Sequence, residues 1–594
     1  MDGTRSETAG AGANQVSLGP ATQASHSRGV WPGRGPALWG LGLSCALAAL
    51  GGCTANIEGG TNPGSGAASA GSSAAVGGAA VGGAASTGKT PLTVELNGEP
   101  VYSRFVRLTN DQWENAVRDL LGLPAAPGLA SSFEGAPPGG TFSNNERRLF
   151  ITSGLWGDYE SAAETLSQRV VQDPAVLSKV TAGATTAASF IPAFGRHAYR
   201  RDLTPAEVTR YTTLFNGGAD IFKSGNAFND GVQMVVETML KSPYFLYRAE
   251  VGQNGQPLSG YELATKLSFL LRSTIPDDGL LELAKSGGLN GVDQLTKQAQ
   301  TMLDTPEARG AFDRFHSELF GIDRYTNIEK DATLFPAFNP AMAADFAQAD
   351  VKFFEYLYDN NLGFKDLLTS QVGFVNSSTA ALYGQSASGS GFTQVLLGAE
   401  RTGFFTRAGF LANNGTLIGS DPIRRGVDVI RRVFGNADFS PPGGVVIPPL
   451  PPPMPGQTTR ERVTGHTGAG TCGASCHGEY INPLGFSFEN FDAIGQVRST
   501  DNGKPVDTSD TFAFADGQKS FTDAPSLMAL LAADAQTNKT YVAHMAEYVL
   551  ARDMAEPDGA FLDALGKASA AAGSIKQLTL TVITSDAFSK RGTP

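Results

Sequence analysis

The residues best suited to chemistry form one short cluster, Cys472-Gly-Ala-Ser-Cys476-His477. The chain has four cysteines, and the other two, Cys45 and Cys53, lie near the N-terminus. Two thiols followed directly by a histidine are typical of covalent haem attachment, in which the thiols add to the vinyl groups and the imidazole binds iron. Three residues separate the thiols here, against the usual two. The cluster predicts haem c held by Cys472 and Cys476, with His477 as proximal ligand.

Two other interpretations of this cluster stay open. In an oxidising compartment, Cys472 and Cys476 would form a local disulfide, which closes a very short loop and adds modest stability. A zinc site would draw on His466 together with the cluster, but the adjacent Cys476 and His477 are poorly placed to approach one ion tetrahedrally. Haem iron is therefore the only metal that we predict.

A haem in this position would need groups on its far side and around its ring. The candidates for a distal ligand are His466 and Met545, which lies on a predicted helix at 541–551. A backbone carbonyl near Pro483 is expected to accept a hydrogen bond from the imidazole nitrogen that does not bind iron. Three aromatic residues are candidates either for the wall of the haem pocket or for ordinary core: Phe486, Phe488 and Phe491.

An apolar stretch near the N-terminus predicts export. Residues 37–50 follow two arginines and are too short to span a bilayer, but they have the length of a signal-peptide core. Small residues before Cys53 resemble a bacterial lipobox, so we expect a lipid on Cys53 and a place in the outer membrane or at the cell surface. The alternative is an ordinary secretory signal with an incidental cysteine. The long leader also suggests a translation start near Val30.

Residues 54–92 should act as a flexible tether, because they are almost entirely Gly, Ala and Ser. Within them, residues 83–90 match the letters of a phosphate-binding loop. That loop works only between a buried strand and a helix, whereas no strand pattern precedes this stretch and Pro91 follows it directly. We therefore reject nucleotide binding.

Net charge and hydropathy limit the kinds of binding partner and membrane anchor that the sequence allows. The net charge of −12 and the absence of basic clusters argue against nucleic acid. No segment after the leader contains the roughly 18 consecutive apolar residues of a membrane-spanning helix, so the lipid is the expected anchor. The sequence also lacks a nucleophile elbow or a two-histidine zinc motif, and we assign no catalytic residue.

The body of the chain is predicted to be mainly α, as several helical subdomains in series with minor short β segments. Helix starts are marked by capping boxes, in which a hydroxyl and a Glu or Gln three residues later bond each other's backbone amides. These boxes are Thr109–Gln112, Thr204–Glu207 and Ser259–Glu262, and Thr305-Pro306 marks a further start. Strand patterns occur near 373–376 and 507–517. The Pro-rich stretch 441–455 predicts an extended spacer.

These segments together resemble the exported multi-domain proteins of planctomycetes and myxobacteria, which are arrays of planctomycete-type domains of unknown function. The resemblance covers nearly all of 107–588. Its matching segments are Arg107–Gly122, Phe194–Thr204, Ser242–Arg248, Tyr261–Ser268, Arg401–Leu411, Asn482–Gly495 and the helices after Asp523. It implies a cytochrome-c-like cysteine module near the C-terminus.

The predicted boundaries are a leader with lipobox at 1–53, a tether at 54–92, helical modules at 93–180, 181–240 and 241–390, a cysteine module at 391–500, and a C-terminal helical module at 501–594.

The family has no settled activity, and its members accompany cytochrome or carbohydrate-binding modules. We therefore expect a lipid-anchored protein that carries one haem and exchanges electrons outside the cytoplasm with a redox partner protein. The alternative is a haem-free surface binding or structural protein, with polysaccharide as a candidate ligand and a Cys472–Cys476 disulfide.

Overall fold

The computed structural model describes residues 91–94, 96, 98, 105–135, 137, 140–252, 256–435, 448–471 and 473–590. The predicted signal peptide, Cys53, nearly all of the tether and the start of the Pro-rich stretch fall outside these residues, and so does Cys472. The described chain is mainly helical with short strands, which confirms the predicted fold class. None of its helices combines the length and the apolar character needed to cross a bilayer.

The N-terminal helices begin where the sequence places caps. Thr109 and Thr204 each accept a hydrogen bond from the amide three residues later, and Gln112 and Glu207 complete the two predicted capping boxes. The helices of this part are α1 (Asn110–Leu120), α2 (Ser153–Gln172), α3 (Pro174–Thr181), α4 (Ala187–Tyr199), α5 (Pro205–Phe222), α6 (Ala227–Leu240) and α7 (Pro243–Leu246).

The central helices follow the same rule. Ser259 and Glu262 form the third predicted capping box, and Thr305 caps a helix whose first residue is Pro306. The central helices are α8 (Gly260–Leu271), α9 (Asp278–Lys285), α10 (Val292–Leu303), α11 (Pro306–Phe320), α12 (Met342–Asp359) and α13 (Phe364–Thr369).

Helices become short and irregular after residue 400 and regular again near the C-terminus. The short ones are α14 (Ala408–Asn413), α15 (Pro422–Val429), α16 (Thr459–Thr467) and α17 (Asn482–Phe486), together with the π-helices Ile430–Phe434 and Ala474–Ile481. The last helices are α18 (Ala524–Ala533), α19 (Ala535–Leu550), α20 (Gly559–Ala572), α21 (Ile575–Ile583) and α22 (Asp586–Ser589). Short 3₁₀ turns occur at Leu129–Ser132, Glu146–Arg148, Ile322–Asn327, Ala380–Tyr383 and Glu556–Asp558.

Each sheet in the described residues is a single antiparallel pair of strands. The predicted strand near 373–376 is Val372–Val375, paired with Thr393–Leu396. The strand pattern at 507–517 is a hairpin of Asp510–Phe514 with Gly517–Phe521. The remaining pairs are Phe105–Arg107 with Tyr247–Ala249, and Thr500–Asp501 with Lys504–Pro505.

Buried apolar residues gather in two cores. One contains residues between Leu108 and Ile275, including Trp113 and Tyr159. The other contains residues between Leu258 and Phe588, together with Phe142 from the N-terminal part. Because each core takes residues from several of the predicted modules, neighbouring modules bury their apolar faces together.

Candidate functional site

The Cys476–His477 pair lies on the π-helix Ala474–Ile481, between α16 and α17. Cys472 lies outside the described residues. Residues 473–480 are all half-buried, so the segment is neither core nor free surface. π-Helices are rare and occur mostly as single turns at functional sites. The backbone around the predicted haem attachment residues is therefore unusual in the way that functional segments often are.

Two glycines fix the path of this segment by allowing helices to approach closely. An added methyl group on Gly426 of α15 would overlap the carbonyl oxygen of Ile481. A methyl group on Gly485 of α17 would overlap the carbonyl oxygen of Pro422. Helix α15 and the end of the π-helix thus meet backbone to backbone, which only residues without a side chain permit.

Arg425, beside Gly426, holds the loop that follows α17. Its fully buried guanidinium donates to the carbonyl oxygens of Phe488, Phe491 and Asp492 at 2.9, 3.0 and 2.6 Å. It also lies 3.8 Å from the Glu489 carboxylate. Burial lowers the pKa of Arg425 to about 10, so the group stays charged at neutral pH.

Two more buried arginines donate to backbone carbonyls in and next to this module. Arg401 donates to the carbonyl oxygen of Thr406 at 2.7 Å and also to that of Gly495. Its guanidinium lies 4.6 Å from the ring centre of Tyr383 and 4.7 Å from that of Phe491. Arg407 donates to the carbonyl oxygen of Val372. These arginines thus tie separate stretches of backbone together by donating to carbonyl groups.

The surroundings of the His477 imidazole favour its neutral form. Burial lowers its pKa, the Asn482 side chain raises it, and the nearby His466 lowers it. His477 Nδ1 and Asn482 Oδ1 are both buried, yet neither makes a hydrogen bond of ordinary geometry within the described chain. The sequence predicts a backbone carbonyl near Pro483 beside this ring, and the group placed there is the Asn482 side chain. A neutral imidazole keeps the lone pair that a metal ion requires.

Three glycines of the cysteine module face open space. Methyl groups added to Gly465, Gly470 or Gly478 would meet no other described atom within 4 Å. The three rings proposed as haem wall or core are buried, with Phe486 beside Arg460, Phe488 beside Phe410, and Phe491 beside Arg401. The thiol segment is thus half-exposed, whereas these three rings are buried.

The structure places the two distal candidates in different surroundings. Met545 is fully buried in the core, and its sulfur accepts a hydrogen bond from the Thr579 hydroxyl at 3.6 Å. His466 lies near the end of α16, where its Nε2 is 3.1 Å from the carbonyl oxygen of Pro448. Among the described residues, no group of three or more His, Cys, Asp and Glu side chains could hold a metal ion.

The histidines of the helical body have structural contacts. His316 is fully buried, with Nδ1 2.9 Å from the carbonyl oxygen of Phe312 and Nε2 3.0 Å from the Tyr541 hydroxyl. Burial lowers the pKa of His316 to about 3. His197 pairs with Asp278 at 3.2 Å on the surface.

A second feature lies far along the chain from the cysteine cluster. A cavity of about 780 Å³ lies beside the strand pair of residues 105–107 and 247–249. The rim residues Phe105 and Tyr244 are 53% and 47% exposed. The Arg201 guanidinium lies 4.9 Å from the ring centre of Tyr244. The tyrosines that line the cavity are Tyr199, Tyr244, Tyr247 and Tyr261.

Comparison with known families confirms the resemblance drawn from the sequence. Five family models match successive stretches, each described as a protein of unknown function: 107–172 (DUF1587), 186–250 (DUF1595), 258–385 (DUF1592), 401–501 (DUF1588) and 517–588 (DUF1585). The chain therefore belongs to the planctomycete-type multi-domain proteins and carries these five domains in series. The model that matches 401–501 bears the cytochrome-like name PSCyt3. No curated protein and no solved structure matches the chain.

Sequence reasoning missed the groups that support the site. These groups are the side chains of Arg401, Arg407, Arg425 and Asn482. Their roles depend on contacts with residues far along the chain or on the far side of a turn. The available signal was the pair Arg425-Gly426, since a charged residue beside a glycine in a short helix can mark a close backbone contact.

Proposed function

We propose that this protein carries one c-type haem on Cys472 and Cys476, with His477 as proximal ligand, and exchanges electrons outside the cytoplasm. The observation that carries the proposal is the position of His477, directly after Cys476 on a half-buried π-helix. Burial lowers the pKa of His477, which favours the neutral form that binds metal. The cytochrome-like name of the matching family model supports it.

The residues of the chain would hold and orient such a group. Haem, when bound, supplies an iron that gains and loses one electron reversibly. Arg425 and the glycine contacts of α15 and α17 would keep the π-helix in place. Asn482 would fix the ring orientation of His477, as groups behind a ligating histidine do in other metal sites.

The proposal extends to location and partners. Lipid on Cys53 would anchor the chain in the outer membrane or at the cell surface, and residues 54–92 would let the body move away from the membrane. One haem cannot carry electrons over a long distance alone, so a redox partner protein is required.

A haem stain on a denaturing gel tests the proposal. The full chain would be expressed for export in a host with c-type haem maturation, beside Cys476→Ala and the neighbouring control Ser475→Ala. Staining of the wild type and of Ser475→Ala, with loss in Cys476→Ala, is the expected result. Absence of stain in all three would overturn the proposal.

The second candidate is a haem-free surface binding protein with a Cys472–Cys476 disulfide. The tyrosine-lined cavity favours it, because aromatic rings with polar edges bind ligands that are partly apolar and partly hydrogen-bonding, polysaccharide among them. Affinity electrophoresis through gels containing soluble starch or hydroxyethyl cellulose would test this. Retardation lost in Tyr244→Ala but kept in Trp156→Ala, a 38% exposed aromatic outside the cavity, would support binding. Equal mobility of all three proteins with and without polysaccharide would count against binding of these polymers.

A further inference from the structure

Two imidazoles flank one buried hydrogen bond in the cysteine module. Asn482 Nδ2 donates to Thr467 Oγ1 at 3.0 Å, which ties the end of α16 to the start of α17. His466 precedes Thr467 in α16, and His477 lies beside Asn482. Gly473 lies close to both His477 and Thr467. A methyl group on Gly473 would be 3.2 Å from His477 Cδ2 and 3.6 Å from the Thr467 carbonyl oxygen. The fold thus brings His466 and His477 to the same end of α16.

His466 contacts the segment of residues 448–457, which we call the proline strap. The strap consists of the end of the Pro-rich stretch and the two residues that follow it. Since a carbonyl oxygen only accepts, the 3.1 Å contact with Pro448 means that His466 Nε2 carries a proton here. The strap is held by few other contacts: Arg462 donates to the Pro451 carbonyl at 3.1 Å, and Asn502 to those of Met454 and Gln457 at 2.6 and 3.0 Å. A nitrogen that carries this proton cannot bind iron until the strap contact breaks.

Most of the other residues with metal-binding side chains in this third of the chain are less available. Met528, Met545 and Met554 are at most 2% exposed, so each would have to leave the core. His544 is 3.0 Å from the Glu547 carboxylate. Met454 is 58% exposed on the proline strap and is the main rival to His466.

We propose that His466 supplies the second axial nitrogen opposite His477, and that the proline strap restrains it by occupying its Nε2. This inference rests on the proposed haem attachment. When Nε2 leaves Pro448, the imidazole changes tautomer: Nε2 gives its proton to water while Nδ1 takes one up, so the ring stays neutral and Nε2 has a free lone pair. Two imidazole ligands give a low-spin, six-coordinate iron, whereas one leaves an open position.

Absorption and electron paramagnetic resonance spectra of the purified ferric protein test the inference. The proteins are the wild type, His466→Ala, His466→Gln, Met454→Leu and Met545→Leu, each first examined by haem stain on a denaturing gel. We expect all five to stain. A low-spin signal should be present in the wild type and both methionine variants. It should be lost in both His466 variants and return on addition of free imidazole.

The outcomes distinguish the role of His466 as an iron ligand from haem attachment itself. A wild type that stains while His466→Ala and His466→Gln keep its low-spin spectrum would overturn the role of His466 and leave haem attachment standing. A stained wild type that is entirely high-spin would overturn it as well. Loss of the low-spin signal in Met454→Leu alone would assign the ligand to the proline strap itself. A wild type without stain would overturn haem attachment, and the axial role of His466 with it.

Discussion

The N-terminal helical region, residues 105–250, and the cysteine module, residues 401–501, hold their backbones in different ways. The former has helices up to 20 residues long, most of them closed by side-chain caps, over an apolar core. In the described part of the latter, the longest helix has 9 residues and two segments are π-helical. The module relies instead on Arg401, Arg407 and Arg425.

This difference indicates where the fold accepts an energetic cost. Regular helices satisfy their own backbone groups, whereas irregular backbone needs donors from side chains, and burying arginine to supply them is expensive. The N-terminal region uses the device too, since Arg200 donates to the Tyr244 and Tyr247 carbonyls. The cysteine module has three such arginines: Arg401 and Arg425 bond to the loop of residues 488–495, and Arg407 bonds to Val372. Irregular, costly backbone of this kind persists where a site requires it.

Among the substitutions considered, replacement of Arg425 should lower the stability of the protein most. Arg425→Met removes a donor from the carbonyl groups of Phe488, Phe491 and Asp492 and takes away the positive charge 3.8 Å from the buried Glu489 carboxylate. We expect it to lower the free energy of unfolding by about 3–5 kcal/mol. The neighbouring Arg424→Met, whose side chain is 62% exposed, should change it by less than about 0.5 kcal/mol. Urea titrations would measure both, and equal effects would contradict the role given to Arg425.

The close contact between α15 and α17 gives the next largest expected effect. Gly485→Ala introduces a methyl group against the Pro422 carbonyl, so the two helices must separate, at a cost of about 1–3 kcal/mol. Gly478→Ala, on the π-helix with open space around it, is the matched control and should be neutral or stabilising. A Gly485→Ala protein as stable as the control would mean that the helices are not packed at this point.

His316 tests the apolar packing of the regular helices. Its pKa falls from an ordinary 6.5 to about 3 in the folded protein, so below pH 6.5 the unfolded chain binds a proton that the folded one does not. Stability should therefore fall as pH drops from 6.5 towards 3, by at most about 1.4 kcal/mol per pH unit from this group. His316→Gln removes that contribution, so its stability deficit should shrink between pH 7 and pH 5. Parallel pH profiles for the two proteins would contradict a neutral, buried His316.

Loss of one N-terminal cap should have the smallest effect. Thr109→Ala removes the hydroxyl that accepts from the Gln112 amide, and we expect a loss of about 1 kcal/mol. Thr165→Ala, an exposed position inside α2, should lie within about 0.5 kcal/mol of the wild type. If the cap cost as much as Arg425→Met, the two regions would not differ in how they hold their backbones.

The same contrast explains what the sequence could predict. The capping boxes at Thr109, Thr204 and Ser259 depend on residues three apart, so the helix starts of the regular regions could be located in advance. The π-helix Ala474–Ile481 and the buried Arg425 depend on distant contacts, which a local pattern does not record. Cys476 and His477, which are proposed to attach haem, can be recognised from their spacing alone. Beside the imidazole, however, the sequence predicts a backbone carbonyl near Pro483, whereas the structure places the Asn482 side chain there.

The intact mass of the exported chain under denaturing conditions tests the central claim most directly. The protein would come from a host with c-type haem maturation and be compared with Cys476→Ala. A wild-type mass increased by one haem, and a variant without that increase, is the result predicted here. A wild-type mass two hydrogens below that of the same processed chain after reduction, with no haem, would contradict the claim and identify a Cys472–Cys476 disulfide instead.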